Sequence, residues 1–222
     1  MPLNRAMTEA QKEARRAAIL KVALHRFTLM PYEELSMADT AEEAGVAKGT
    51  LYLYFRSKEE MFLALYTEEL NAWFDELDRE LAGARGEASI AGFVEILSGS
   101  LARRPPLLRL IAIAHTVLER KLDEAAARHF KHWFKERLLK TGGLIEKYLP
   151  FLTPGQGTQL ALKINALVIG FQHMAEPTGA MREVLAEEEF ALFRVDLKQA
   201  LLETLGTLLM GYAYEAKYRN DK

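Results

Sequence analysis

The stretch Ser36–Lys58, SMADTAEEAGVAKGTLYLYFRSK, decides the fold. Ser36 is suited to cap a helix, with Asp39 three residues on to reach back and complete the box. Ala41, Gly45, Val46 and Leu51 follow in a telling order. A small Ala lets two helices approach closely, and the Gly four residues later takes the left-handed conformation that ends a helix. Val46 and Leu51 fill the angle between the helices. This Ala-x-x-x-Gly-x-x-x-x-x-apolar spacing is that of a helix-turn-helix. Alone it also arises by chance. Here KGTLYLYF continues it, and a second capping box, Ser57 to Glu60, opens a long helix behind it.

Upstream, Met1–Met7 reads as a loose arm. Thr8 with Gln11 forms another capping box, and Ile19, Leu20, Ala23, Leu24 and Phe27 recur at helical spacing until Pro31. Arg15 and Arg16 fall off that apolar face, as solvated charges or as phosphate contacts. Downstream, Met61–Leu81 continues as an amphipathic helix with Phe62, Leu65, Leu70, Trp73, Phe74 and Leu77. Gly83–Gly86 is the first real break. The expected organisation is a helix-turn-helix domain at 1–56, a connecting helix at 57–82 shared by both domains, and a second helical domain at 83–222.

In that second part Ser89 caps a helix, Pro105-Pro106 starts one through Leu118, and Asp123 begins a long one ending at Pro150. Thr153-Pro154 starts the next and Glu176–Gly179 is a loop. A last helix is expected from about Val184 to Tyr214. The fold class is all-α, with about nine helices.

Half of the 222 residues are hydrophobic and 27% are charged, the composition of an ordinary globular protein. The net charge of −2 makes the chain no polycation, so any nucleic-acid contact depends on local charge. Met1–Met30 carries six basic residues and two acids, and Ala44–Lys58 three basic residues and no acid. The second helix offsets this with Asp39, Glu42 and Glu43. With no cysteine, disulfides and thiolate metal sites are excluded. No apolar run approaches the roughly 18 residues of a membrane span. No signal-peptide core is present, and a cytoplasmic location without membrane association is expected.

VAKGTLYLYFRSKEEMFLALY resembles the signature of tetracycline-repressor-like (TetR-family) transcriptional regulators, over about Ala14 to Tyr66. The remaining two-thirds resembles the family in length and helical character only. Two positions depart from its pattern. Thr40 stands where a large aliphatic precedes Ala41, and Met30-Pro31 stands where Gly is common. The resemblance implies a two-fold dimer that binds its operator when free and leaves it when an effector binds.

The reading helix is expected at Ala47–Leu53. Ser36, Met37, Lys48, Gly49, Thr50, Tyr52, Tyr54 and Lys58 are the candidate DNA-binding residues. Lys48 and Thr50 suit phosphate or base edges, Gly49 lets backbone approach, Tyr52 and Tyr54 offer hydroxyls, and Lys58 pairs with phosphate. Tyr54 could instead pack on the first helix, and Leu51 and Phe55 belong to the core. For an apolar effector with one polar contact, the candidates are Phe93, Ile111, His115, Leu118, Trp133, Phe134, Asn165 and Phe171, against the plainer reading of a filled core. Leu160, Ile164, Leu167, Val168, Phe193, Leu197, Leu201, Leu205 and Leu208 are the expected dimer face, the alternative being an internal helix in a monomer.

The expected partners are thus a double-stranded DNA operator, a small-molecule effector and a second copy of the chain. No cofactor or metal is expected: His129 and His132 share a helix face but lack further ligands. No nucleophile motif or phosphate loop is found, and Gly155-Gln156-Gly157 lacks a preceding strand. The chain reads as a regulator, not an enzyme. A constitutive DNA-binding protein without effector is the alternative, and an all-α enzyme the remoter one.

Overall fold

The Thr8 hydroxyl accepts from the Gln11 N–H at 3.2 Å, and the Gln11 side chain accepts from the Thr8 N–H at 2.9 Å. This capping box starts α1 (Glu9–Leu29). The architecture is that of a computed structural model describing residues 8–84, 88–177 and 179–220, with the side chains of His115, Thr116, Arg219 and Asn220 excepted. The arm Met1–Met7 and part of the Gly83–Gly86 break lie outside the described residues.

After α1 a 3₁₀ turn at Tyr32–Glu34 leads to α2 (Met37–Glu43). Ser36 caps α2 by accepting from the Asp39 N–H at 3.1 Å. The Asp39 carboxylate does not reach back as the sequence suggests; it turns to Arg26, 3.4 Å away. Gly45 takes φ +64°, and the Val46 N–H closes the turn on the Ala41 carbonyl at 2.9 Å. Then come α3 (Lys48–Tyr54) and α4 (Lys58–Gly83). Thr40 is buried, and its hydroxyl donates to the Ser36 carbonyl at 2.9 Å. A hydroxyl in place of a large aliphatic is accommodated because it has a partner.

The chain divides into two compact units. The first contains everything up to Glu68 together with Ile113–Leu122; the second contains Glu69–Ala112 and all residues from Asp123 onward. The division therefore differs from a single cut near residue 83.

In the first unit Ile19, Leu20, Ala23 and Phe27 of α1 are buried with Leu51, Phe55 and Phe62. Phe62 meets Phe27 and Tyr32 edge-on, with ring centroids 5.4 and 5.0 Å apart. Burying such a ring stabilises by about 2–3 kcal/mol, before any gain from edge-on geometry. Ala114 and Leu118, on a π turn at Ala114–Leu118, are buried in this unit, and a 3₁₀ turn at Glu119–Lys121 follows.

The second unit holds α5 (Ile90–Ala102), α6 (Pro105–Ile113, up to Ala112), α7 (Glu124–Tyr148), α8 (Gln156–Ala175), α9 (Ala180–Val184) and α10 (Leu197–Asn220), with the later part of α4. Nine helices of seven residues or more, and no strand, occur among the described residues. The all-α reading is correct.

Helices α7 and α8 meet at Gly142 and Gly157. A Cβ on Gly142 would lie 2.5 Å from the Thr158 backbone nitrogen, and one on Gly157 would overlap the Gly142 carbonyl. Glu146 closes the crossing by accepting from the N–H groups of Gly155 and Gly157 at 2.8 and 2.9 Å. Helix α10 packs against α5 and α8.

Two expectations need correction here. The last helix starts at Leu197 rather than near Val184. Arg194 donates to the carbonyls of Leu185, Ala186 and Glu187, holding a closed loop with a 3₁₀ turn at Glu188–Phe193; Asp196 then caps the Gln199 N–H at 2.7 Å. Second, Leu160, Ile164, Val168, Leu201 and Leu205 are buried within one chain, so these side chains offer no surface to a partner. Leu167, Leu197 and Leu208 are half-buried, and Phe193 is exposed. Apolar spacing reports that a face is covered, not what covers it. The large apolar side chains exposed on α8 and α10 are instead Leu162, Met174, Met210, Tyr214 and Tyr218.

Candidate functional site

Helix α3 is anchored by Leu51, fully buried, and by Phe55 just past its end. That fixes which side chains remain outside. Lys48, Gly49 and Tyr52 are exposed; Thr50 and Tyr54 are half-buried. Leu53 is 85% exposed, an apolar group on the outer side of α3 that the sequence reading left out. Its alternation with buried Leu51 on so short a helix was the available signal. An α-helix fits the major groove, where an apolar side chain can meet a thymine methyl.

Gly49 carries a specific message. A Cβ built on it meets nothing within 4 Å, and its φ is not positive. Nothing among the described residues requires a glycine there. Ser36, half-buried, works as the α2 cap, and Met37 is buried, so its side chain faces the core.

Lys58 differs from the free cation its position suggested. Its ammonium donates to the carbonyls of Tyr32 and Leu35 at 2.8 and 2.9 Å and lies 4.1 Å from the Tyr32 ring centroid. Burial lowers its pKa below the ordinary lysine value. It ties the loop before α2 to the first turn of α4. Beside it, Glu59 accepts from the Tyr32 hydroxyl at 3.3 Å and from Lys121 at 2.6 Å. Burial alone would raise the Glu59 carboxyl, but the bonds from Lys121 and its own backbone outweigh this and hold it below the usual value. Burial, then the Glu59 charge, pushes the Tyr32 hydroxyl up.

Arg26, largely buried, sits 3.0 Å from Glu43 and 3.4 Å from Asp39. It offsets two of the three acids on α2 that would repel phosphate. Arg16 pairs with Glu68 at 2.7 Å and lies over Phe55 at 5.4 Å, a packing role.

The second unit encloses a cavity of about 20 Å³, room for one water-sized group. Its wall includes Trp73, Phe74, Leu77, Ile111, Thr141, Asn165 and Val168. Of the candidate effector residues it brings Ile111 and Asn165 together. Phe93 is buried elsewhere, against Tyr148 with centroids 6.2 Å apart. Trp133 and Phe134 are half-buried around Phe130, and Phe134 stands behind Phe74 at 6.2 Å. Phe171 is half-buried off the wall, Leu118 belongs to the first unit, and the His115 side chain lies outside the described residues. The sequence reading missed Trp73 and Phe74 of α4, although their adjacency on a helix apolar on several sides was visible.

Thr141 joins the wall to a buried polar cluster. Its hydroxyl donates to Asp78 Oδ1 at 2.7 Å; Asp78 Oδ2 accepts from Arg137 at 3.2 Å and Lys140 at 2.9 Å. Arg137 also pairs with Asp75 at 2.9 Å and lies over Phe74 at 5.1 Å.

Comparison with known proteins matches residues 19–65 to the model of bacterial regulatory proteins of the tetR family, and residues 67–216 to that of the tetracyclin repressor-like C-terminal domain. The chain belongs to the TetR family of bacterial transcriptional regulators. As a family member it is a DNA-binding regulator, and α2 and α3 form its helix-turn-helix.

An uncharacterised HTH-type transcriptional regulator, YfiR of Bacillus subtilis (strain 168), is 34% identical over 95 residues, covering 43% of this chain and 46% of its own. The chain thus spans under half the length of that curated relative. Among solved structures, the TetR family repressor AlkX from Dietzia sp. strain DQ12-45-1b, implicated in biodegradation of n-alkanes, superposes with TM-score 0.55 at 16% identity, covering 88% of this chain and 95% of its own. The fatty acid degradation regulator FadR from Bacillus halodurans gives TM-score 0.50 at 21% identity, covering 88% and 94%. These two likenesses show the fold. No helix among the described residues is long and apolar enough to cross a membrane.

Proposed function

We propose that the chain binds a palindromic operator as a two-fold dimer and releases it when a small, long-chain apolar effector enters the second unit. The observation that carries this reading is the cavity. Twelve of its fourteen wall residues are apolar, the other two being Thr141 and Asn165, yet it holds only about 20 Å³. An effector of any size must therefore favour a wider state, and that differential affinity is what a switch requires. Helix α4 contributes Trp73, Phe74 and Leu77 to the wall and Lys58–Glu68 to the first unit, so it belongs to both ends of the switch. The names of AlkX and FadR, an n-alkane and a fatty acid regulator, favour an unbranched hydrocarbon chain as the effector type.

DNA contact falls to Lys48, Gly49, Thr50, Tyr52 and Leu53, with Tyr54 at the edge. A two-turn reading helix neutralises few phosphates and needs a second copy about 34–36 Å away to gain affinity. Leu162, Met210, Tyr214 and Tyr218 supply the dimer face, because they are, together with Met174, the large apolar groups of α8 and α10 left without cover.

The test is fluorescence anisotropy on DNA flanking the coding gene, titrated with hydrocarbon-chain compounds of increasing length. Nanomolar binding abolished by one chain-length class is expected. Binding that no such compound changes would leave a constitutive DNA-binding protein as the better reading.

A further inference from the structure

We infer that the effector carries a neutral hydroxyl on its apolar body, and that Thr141, its own proton committed to Asp78, selects that group as a hydrogen-bond donor. This rests on the reading of the second unit as an apolar-effector site and names the polar group such an effector bears.

Three residues of the cavity wall have a polar side-chain atom: Trp73, Thr141 and Asn165. The Trp73 indole N–H is already spent, donating to Ser100 Oγ at 2.9 Å. Thr141 is 1% exposed, and its hydroxyl donates to Asp78 Oδ1 at 2.7 Å. The other Asp78 oxygen accepts from Arg137 at 3.2 Å and from Lys140 at 2.9 Å. A carboxylate held by a guanidinium and an ammonium only accepts, so the proton between Asp78 and Thr141 belongs to Thr141. A hydroxyl has one proton and two lone pairs. With the proton committed to Asp78, Thr141 has only lone pairs for a group in the cavity, and lone pairs call for a donor.

Asn165 does not narrow the choice, because an amide offers both donor and acceptor. A hydroxyl suits the two residues together: it donates to Thr141 and accepts from Asn165. A ketone, ester or ether has no proton to give, and its oxygen would face the Thr141 lone pairs. A carboxylate meets the same lone pairs, and no wall residue is charged to offset its burial. An ammonium has donors but the same burial cost, since the charges joined behind Thr141, Asp75 and Asp78 against Arg137 and Lys140, balance. The cavity, about 20 Å³, already admits one water-sized group, and a hydroxyl is of that size.

Two sources share this chemistry: an alkanol and an alkylphenol. The full-length protein is titrated with dodecanol, nonylphenol, the methyl ether of each, and dodecanoate. Operator release is read alongside tryptophan fluorescence, to which Trp73 in the wall contributes. Dodecanol or nonylphenol should bind at least about fivefold tighter than its own methyl ether, the worth of one hydrogen bond. The tighter of the two shows whether the hydroxyl sits on a chain or on a ring. Thr141→Val should cut the hydroxyl-to-ether ratio to below about twofold, and Thr141→Ser should keep it. In Asp78→Asn the amide oxygen stays with Arg137 and Lys140 while its N–H donates to Thr141. That frees the Thr141 proton for an ether oxygen, and the ratio should fall to about unity.

If the methyl ethers or dodecanoate bind as tightly as the hydroxyl compounds, or if the ratio survives in Thr141→Val or in Asp78→Asn, this inference is overturned while the apolar-effector reading survives. If no compound perturbs the tryptophans or the operator complex, both fall together.

Discussion

At Gly49 the absence of a side chain has no cause among the described residues. A Cβ would meet nothing within 4 Å, and the helix would gain from one. Gly49→Ala should therefore raise stability by about 0.5–1 kcal/mol, and under the proposed reading, in which backbone approaches DNA at this position, it should weaken operator binding. Urea unfolding and anisotropy on one preparation check both signs; a variant that is more stable and binds equally well would remove Gly49 from the interface. Glu59 is a titrating counterpart. Its carboxyl is held below the ordinary value of 4.5, so its contribution is complete above that pH and is lost as pH falls through the lower, folded value. Wild-type melting temperature should drop more steeply below about pH 4.5 than that of Glu59→Gln. Parallel melting curves for the two proteins would contradict the assignment. The types of these residues were legible in the sequence; their circumstances were not. Lys58 illustrates this: a lysine at a helix start beside a reading head looks like a phosphate ligand, and only the fold reveals the two carbonyls it holds.

At the scale of elements, the α7–α8 crossing depends on two glycines out of several nearby. Gly157→Ala forces a methyl into the Gly142 carbonyl and should cost about 1–3 kcal/mol. Gly143→Ala, one residue from the crossing and open around its Cβ, should instead stabilise by up to about 1 kcal/mol. Opposite shifts in the urea midpoint are the expected result, and equal shifts would mean the helices do not touch there. The sequence displays Gly142-Gly143 and Gly155-Gln156-Gly157 but not which member lies at the contact, because that depends on the crossing angle of two segments. Caps and helix starts behave differently. Thr8, Ser36, Ser57, Ser89 and Asp123 act within three residues of themselves, so local sequence suffices to find them. The start of α10 was missed because Arg194 bonds back across seven to nine residues, beyond any local pattern.

For the whole molecule, the apolar residues of α8 and α10 sort into those the chain covers itself and those it leaves open. The sequence could not separate Leu205, buried, from Met210, exposed, since both sit in one apolar helix. Met210→Glu with Tyr214→Glu should shift the protein from dimer to monomer at micromolar concentration. Operator affinity should then fall by at least about a hundredfold, as one head loses the second half-site. Sedimentation of the double variant checks it, and an unchanged dimer would place the interface elsewhere. The inclusion of Ile113–Leu122 in the first unit bears on modularity. Ala114 and Leu118 are buried there and Lys121 bridges to Glu59, so a fragment ending at Glu68 would lack part of its own interior. A chimera that transplants this reading head onto another sensor must carry that ten-residue passage with it, although it lies more than forty residues further along the gene.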